Sequence, residues 1–413
     1  MPPCESRASG CVDPAAVIRS APMTPRKPRP VDEDLETASI MEYFHAVVDP
    51  RIDRTRLHPL VSVLTLSLCA VICGADSFVA IERFGTAREA WLKTFLELPN
   101  GIPSHDTIGR IFSFLDPQSL EAAFRAWTAT IARLTKGEVV AIDGKTLRRS
   151  FRKAGDNSFV HMVSAWATGN RLVLGQVKTD EKSNEITAIP QLLRFLQIKG
   201  CLVTIDAMGC QKEIAKDIVV AEAQYMLAVK DNQPTLLADT VAAFECVTKA
   251  PSAPAGFDYH ETENQGHGRT EVRRCWTTGD VNGVSQRDQW ANLSSLVLVE
   301  SERTIKSKTS LERRYYISSR PQFSAKDALS ASRSHWAIEN ELHWVLDVAF
   351  REDDCRVRAG FAGENFAVMR HIALNLLKAA PGTPTHKKLG VKNKRLLAGW
   401  DSDYFLKVLG VAS

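Results

Sequence analysis

At 413 residues, with 44% hydrophobic and 24% charged residues, the chain has ordinary globular composition and room for two or three domains. A net charge of +4 tolerates a nucleic-acid partner without indicating one. Nine cysteines, an odd number with no C-x-x-C pair, argue against a disulfide framework and a structural zinc site, and fit a reducing cytoplasm.

The opening MPPCESRASG lacks the charged and apolar regions of a signal peptide, and residues 1–36 carry seven of the nineteen prolines, as a disordered tail would. From 37 to 135 the pattern is helical. Its most apolar stretch, LVSVLTLSLCAVICGA (60–75), falls short of the roughly 18–20 residues needed to span a bilayer and carries Ser, Thr and Cys, so it reads as a buried core helix. In GIPSHDTIGRIFSFL, Ser104 is a candidate N-cap, and Ile108, Ile111, Phe112 and Leu115 share one helical face. A short helix entered from a tight turn fits either a helix-turn-helix arm or an ordinary helical domain.

From 137 the rhythm turns to strands: EVVAID, FVHMVSAWA (159–167) and RLVLGQVK (171–178), then a helix over 184–198, CLVTID (201–206), a helix from Gln211, and QYMLAVK (224–230). Three strands, then helix, strand, helix and strand, predict a mixed α/β layer that starts with a hairpin. Residues 233–248 read as helical, 257–318 as β-rich, and helical character returns near 325.

The stretch EVVAIDGKTLRRS (138–150) contains Gly-Lys-Thr, but a P-loop needs a further glycine where Val139 stands. The alternative is a strand with Asp143 at its end. Asp206 closes a second strand 63 residues later, and the strand order makes the two neighbours. Two adjacent carboxylates are costly without a cation between them, and oxygen ligands favour Mg²⁺ or Mn²⁺ over zinc. Glu339, among Trp336, Ile338 and Leu342, is the candidate third acid; Asp347 is its rival, with Glu341, Asp353 and Asp354 behind it. His335 and His343 flank Glu339 on the same face, but at roughly 12 Å apart along a helix they cannot share one zinc ion.

Here the chain resembles the DDE transposases of bacterial insertion sequences, specifically the H-repeat-associated group. The resembling stretches are AIDGK, DEKSNEITAIPQLL, TIDAMGCQ, YMLAVKDNQP, HGRTEVRR, HWAIENELHWVLDVAF with its trailing EDD, and KNKRLLAGWD, which together with the helical region at 40–130 cover nearly everything after residue 37. The resemblance implies a ribonuclease-H-like core, the arrangement that the strand order also matches, with Asp143, Asp206 and Glu339 as catalytic and metal-binding triad. It implies two divalent ions, Mg²⁺ or Mn²⁺, and cutting and rejoining of double-stranded DNA at the terminal repeats of a mobile element and in its target. A homo-oligomer on DNA in the bacterial cytoplasm, without a membrane, follows from the same likeness. The expected layout is a tail (1–36), a helical N-terminal domain that could bind DNA (37–135), the first part of the core (137–248), a β-rich insertion (249–322), core completion with the glutamate helix (323–380) and a basic C-terminal segment (381–413). Alternatives are a metal-dependent nuclease on the same fold and an inactive DNA-binding relic.

The chain also departs from its relatives. Cut-and-paste transposases carry Tyr-x-x-Arg-x-x-x-Glu-x-x-x-x-x-x-Lys around the glutamate, where this sequence has Ser332, His335, Glu339 and Leu346. His335 is the candidate substitute for the arginine. Lys145 reads as facing phosphate or the carboxylate cluster, and Arg148, Arg149, Arg152 and Lys153 form a candidate DNA contact, with a solvated surface as the competing reading for each. Gln211 either meets phosphate or starts its helix, while Lys230, Asn232 and Gln233 lie at a strand end where α/β sites form. Asn184 and Glu185 read as a helix start or as support for the acids. Trp336 and Trp344 read as core, with base-stacking as the alternative, and HKKLGVKNKR (386–395) as either a DNA contact or a flexible tail.

Overall fold

The computed structural model describes residues 39–132, 134–147, 160–179, 185–248, 254–266, 268–306, 308–382 and 388–410. The proline-rich start, Arg148, Arg149, Arg152, Lys153 and Asn184 lie outside them.

Five helices come first: α1 (Ile40–Phe44), α2 (Leu60–Ile72), α3 (Phe78–Leu92), α4 (His105–Phe114) and α5 (Pro117–Ile131). Their starts are written in the sequence. Ser77 caps α3, and the Ser104 side chain accepts from the Thr107 N–H of α4 at 3.3 Å. Asp116 caps α5, whose first residue is Pro117. Helix α2 is buried at nearly every position, as its unbroken apolar run requires.

Strands β1 (Val139–Leu147), β2 (Val160–Ala167), β3 (Leu172–Lys178), β4 (Leu202–Ile205) and β5 (Gln224–Val229) follow, with α6 (Glu185–Phe195) between β3 and β4, α7 (Lys212–Val220) before β5, and α8 (Pro234–Ala243) and α9 (Glu245–Thr248) after it. Then come β6 (Phe257–Gly266), β7 (Arg269–Thr278), β8 (Ser295–Ile305) and β9 (Lys308–Ser318). All nine strands form one sheet in the order β3-β2-β1-β4-β5-β9-β8-β7-β6. β1 pairs antiparallel with β2 and parallel with β4, and β4 is parallel to β5. β9 joins the β5 edge antiparallel, so the inserted strands lengthen the same sheet. β6, exposed and polar along most of its length, carries no apolar signal of its own and is the strand the sequence hides.

The last helices are α10 (Ala325–His335), α11 (Trp344–Phe350), α12 (Ala362–Ala379), α13 (Val391–Trp400) and α14 (Ser402–Leu409). On one sheet face, α6, α7 and α8 bury Val140, Ile142, Val203, Ile205 and Leu227. On the other, α10 covers Leu202, Met226 and Val299. Helices α1–α5 share a third core with α11–α14, in which Leu64, Phe112 and Phe124 meet Phe366, Met369 and Leu377. The free edge of β3 is closed by side chains: Asn375 of α12 accepts from Val173 N–H and donates to its carbonyl, and Glu121 of α5 accepts from Gln176 N–H.

The basic C-terminal run is not a flexible tail where it is described. Lys394 is buried and donates to the Leu377 and Ala380 carbonyls, which end α12, and Arg395 donates to the carbonyls of Val71 and Ala349. These charges are held by orphan helix-end carbonyls, so they are not available to phosphate.

Candidate metal centre

The acids gather because neighbouring strands end in register. Ile142 of β1 stands opposite Ile205 of β4, so Asp143 and Asp206 emerge side by side. The first expectation needs one correction: Asp143 is not at a strand end. β1 runs on through Gly144, Lys145 and Thr146 to Leu147, because β2 pairs with it along that length. Gly-Lys-Thr is therefore strand, not a phosphate loop.

Asp206 is oriented by backbone. Its Oδ1 accepts from the N–H groups of Met208 (3.1 Å) and Gly209 (3.4 Å). Asn232 and Gln233, from the turn after β5, donate to the carbonyls of Ala207 (2.7 Å) and Cys210 (3.0 Å) and pin this turn. Glu185, the first residue of α6, is a fourth acid. Its Oε1 lies 2.8 Å from His161 Nε2, and His161 Nδ1 lies 2.7 Å from Thr146 Oγ1. Gly144 makes this approach possible, since a Cβ there would stand 2.1 Å from Glu185 Oε1 and 2.5 Å from His161 Nε2. Asp143, Glu185 and Asp206 bring oxygens within 4.8 Å of one another.

A second group meets the same aspartate. The run SHWAIENELHWVLDVAF is not one helix: α10 ends at His335, a π-helical turn spans Glu339–His343, and α11 follows. Such turns concentrate at functional sites. His343 Nδ1 lies 3.4 Å from Glu339 Oε2 and 3.6 Å from Asp143 Oδ2, and one donor atom from each of the three falls within the same 4.8 Å limit. Asp143 thus belongs to both groups, either of which could hold a metal ion.

The electrostatics carry the cost of this crowding. Burial pushes the Asp143 carboxyl up to about 8, helped by the charges of Glu339, Asp206 and Glu185. Burial and Glu185 also raise Asp206, against the pull of its backbone donors and Lys230. Glu339 goes the other way: the neighbouring His343 outweighs burial and lowers it.

The remaining candidates divide. Lys145 turns towards carboxylates. Its side chain is 11% exposed, and its ammonium is held by Asp347 of α11 and by Glu352 at 3.1 Å. That ion pair also takes Asp347, the rival third acid, out of the carboxylate cluster. His335 cannot replace an arginine: it is buried with Nδ1 3.2 Å from Thr204 Oγ1, and burial pushes it down to about 4, so it stays neutral. Gln211 is turned inward, donating to the Met208 carbonyl, and Asn232 is committed to Ala207. Lys230 is exposed beside Asp206. Trp336 and Trp344, expected in the core, are 40% and 61% exposed, and the Arg314 guanidinium lies over Trp336. Sequence reasoning missed His161 and His343 as members of the site. The spacing of Glu339 and His343, one turn apart, was the available signal for the second.

Residues 134–376 match the family described as Transposase DDE domain, and 41–128 match the region described as DDE_Tnp_1-associated. The transposase-named YncI of Escherichia coli O157:H7 is 42% identical over 383 residues, covering 91% of this chain and 95% of that protein. The H repeat-associated, transposase-named YhhI of Escherichia coli K12 is 39% identical over 385 residues, covering 91% and 98%. With strand-borne acids meeting a glutamate from the C-terminal helices, and with matches of this extent, the chain belongs to the DDE-type insertion-sequence transposases, in the company of their H repeat-associated members.

Proposed function

We propose that the chain cleaves DNA at the ends of an insertion sequence and transfers the strand to a target in a divalent-ion-dependent reaction, with Asp143, Asp206 and Glu339 as the acidic triad. The observation that carries this reading is the sharing of Asp143 between two donor groups drawn from β1, β4, α6 and the π-helical turn. The donor set fits a divalent ion. It is almost all carboxylate oxygen, and Asp143 is so crowded that a cation is the natural partner for its ionised form. Mg²⁺ or Mn²⁺ suits such ligands, and a bound pair of such ions activates a hydroxyl nucleophile and stabilises the leaving oxygen of a phosphodiester.

The chain's own residues do the positioning. The Met208 and Gly209 N–H groups aim Asp206, Asn232 holds its turn, and His161 fixes Glu185. Lys145 ties β1 to α11 and so fixes Asp143 relative to the Glu339 turn. Lys230 is the exposed cation nearest this chemistry among the candidates described, and Arg148, Arg149 and Arg152 complete the proposed DNA contacts. The β3-β2-β1-β4-β5 order, with one antiparallel hairpin beside a parallel trio, supports a ribonuclease-H-like core. A homo-oligomer on paired element ends belongs to the same reading.

The test is divalent-ion-dependent cleavage and joining of a duplex carrying the gene's own flanking ends, beside Asp206→Ala. End-specific products that vanish in the variant are expected. Cutting that ignores the end sequence would favour a nuclease, and DNA binding without cutting would favour an inactive relic.

A further inference from the structure

His343 is a group at the centre that the acidic triad leaves without a task. Its ring is buried, with a side chain only 7% exposed. Nδ1 points at two carboxylates, Glu339 at 3.4 Å and Asp143 at 3.6 Å. Those separations are longer than an ordinary N–H···O⁻ hydrogen bond of about 2.7–2.9 Å. They are close to the spacing of two donors on one ion, since ligands each roughly 2.1–2.2 Å from a metal stand about 3–3.5 Å apart.

The far side of the ring agrees. Nε2 is buried with no protein partner, and the ring borders a small cavity whose lining mixes Lys145, Gln176, Glu352 and His371 with the apolar Leu147 and Leu346. Both side-chain polar atoms of Gln176 are likewise buried without a protein partner. A ligating imidazole keeps its hydrogen on the second nitrogen and needs an acceptor there, and Gln176 and Glu352, both lining that cavity, carry acceptor oxygens. The opposite tautomer, with hydrogen on Nδ1, leaves Nε2 as a buried acceptor and gives neither carboxylate a short bond.

Resting on the metal-centre reading above, we infer that His343 is a nitrogen ligand of that centre on its Asp143–Glu339 side. The site is then mixed: all-oxygen between Asp143, Glu185 and Asp206, and oxygen with imidazole between Asp143, Glu339 and His343. An imidazole donor suits Mn²⁺ and later transition ions better than Mg²⁺, so this side prefers Mn²⁺.

The test is pulsed electron paramagnetic resonance on the full chain loaded with Mn²⁺, with natural and ¹⁵N-labelled histidine, beside Mn²⁺ titrations. Bound Mn²⁺ should show a directly coordinated imidazole nitrogen that changes with the isotope. The coupling should vanish in His343→Ala, with Mn²⁺ affinity about tenfold or more weaker. Because a buried histidine can be needed for folding, His343→Asn gives the complement: it keeps a polar side chain at the position and should bind Mn²⁺ without the imidazole coupling. Mn²⁺ bound in an Asp143-dependent way without nitrogen coupling overturns the inference and leaves the carboxylate centre standing. So does histidine coupling that persists in folded His343→Ala or His343→Asn. Mn²⁺ binding that ignores Asp143→Ala, or no binding at all, overturns the centre itself.

Discussion

Asp143→Asn should stabilise the metal-free protein, and by an amount that depends on pH. The wild-type carboxyl ionises near 3.8 in the unfolded chain but at about 8 when folded, because it is buried among Glu339, Asp206 and Glu185. A raised acid binds its proton more tightly in the folded state, so its contribution is complete below pH 3.8 and drains away as pH rises towards 8. A shift of roughly four units corresponds to about 5–6 kcal/mol at most, at about 1.4 kcal/mol per unit. Relaxation and water entry leave a few kcal/mol, or several degrees in Tm. Asparagine keeps the shape without the charge. Thermal unfolding in chelator at pH 8 should therefore show the variant more stable, and the difference should shrink by pH 4. Adding Mn²⁺ should stabilise the wild type and not the variant. Equal stability of the two proteins in chelator at pH 8 would refute the claim that the fold carries electrostatic strain at Asp143.

Lys145→Met should cost about 3 kcal/mol or more, because Glu352 is 2% exposed and would keep only Arg370, at 3.7 Å, for a partner. A loss under about 1 kcal/mol in urea unfolding would contradict the buried pairing. Burial alone would raise Glu352, yet Lys145 and Arg370 hold it below its ordinary value, whereas Asp347 stays above its own because burial outweighs the same lysine. Gly144→Ala should cost about 1–3 kcal/mol and displace Glu185, read as weaker Mn²⁺ binding in a titration; unchanged affinity would show that Glu185 is not needed near the ion. Lys394→Met should cost about 1–3 kcal/mol by leaving the Leu377 and Ala380 carbonyls unpaired, without changing DNA affinity; weaker DNA binding by a folded variant would contradict its structural role.

Much of the core was legible because its signals are local. Apolar runs fixed β1, β4 and β5, and Ser104 with its four apolar followers fixed α4. Asp143 and Asp206 stand out from their strand settings, whereas Glu339 has Asp347 as a rival until the family resemblance points to it. What could not be read is non-local. Nothing near Glu185 announces that α6 begins against β1, since any acid suits a helix start. The Lys145–Asp347 pair joins residues 202 apart. Lysines and arginines in a basic run look solvated until helix-end carbonyls are found to need Lys394 and Arg395. The π-helical turn is equally silent, because Glu-Asn-Glu-Leu-His continues a helical pattern without a glycine or proline to mark the change.

The shared core of α1–α5 and α11–α14 sets a timetable for synthesis. Some 300 residues separate α2 from α12, so at about 5–20 residues per second the first helices wait roughly 15–60 seconds for their last partner. During that interval α2 and α5 have only earlier neighbours such as α1 and α3, and the apolar surface they later share with α12 stays uncovered by their own chain. The acids of β1 and β4 can meet long before Glu339 is added, 196 residues after Asp143. A message broken before Glu339 therefore yields half a cluster on an unsupported sheet.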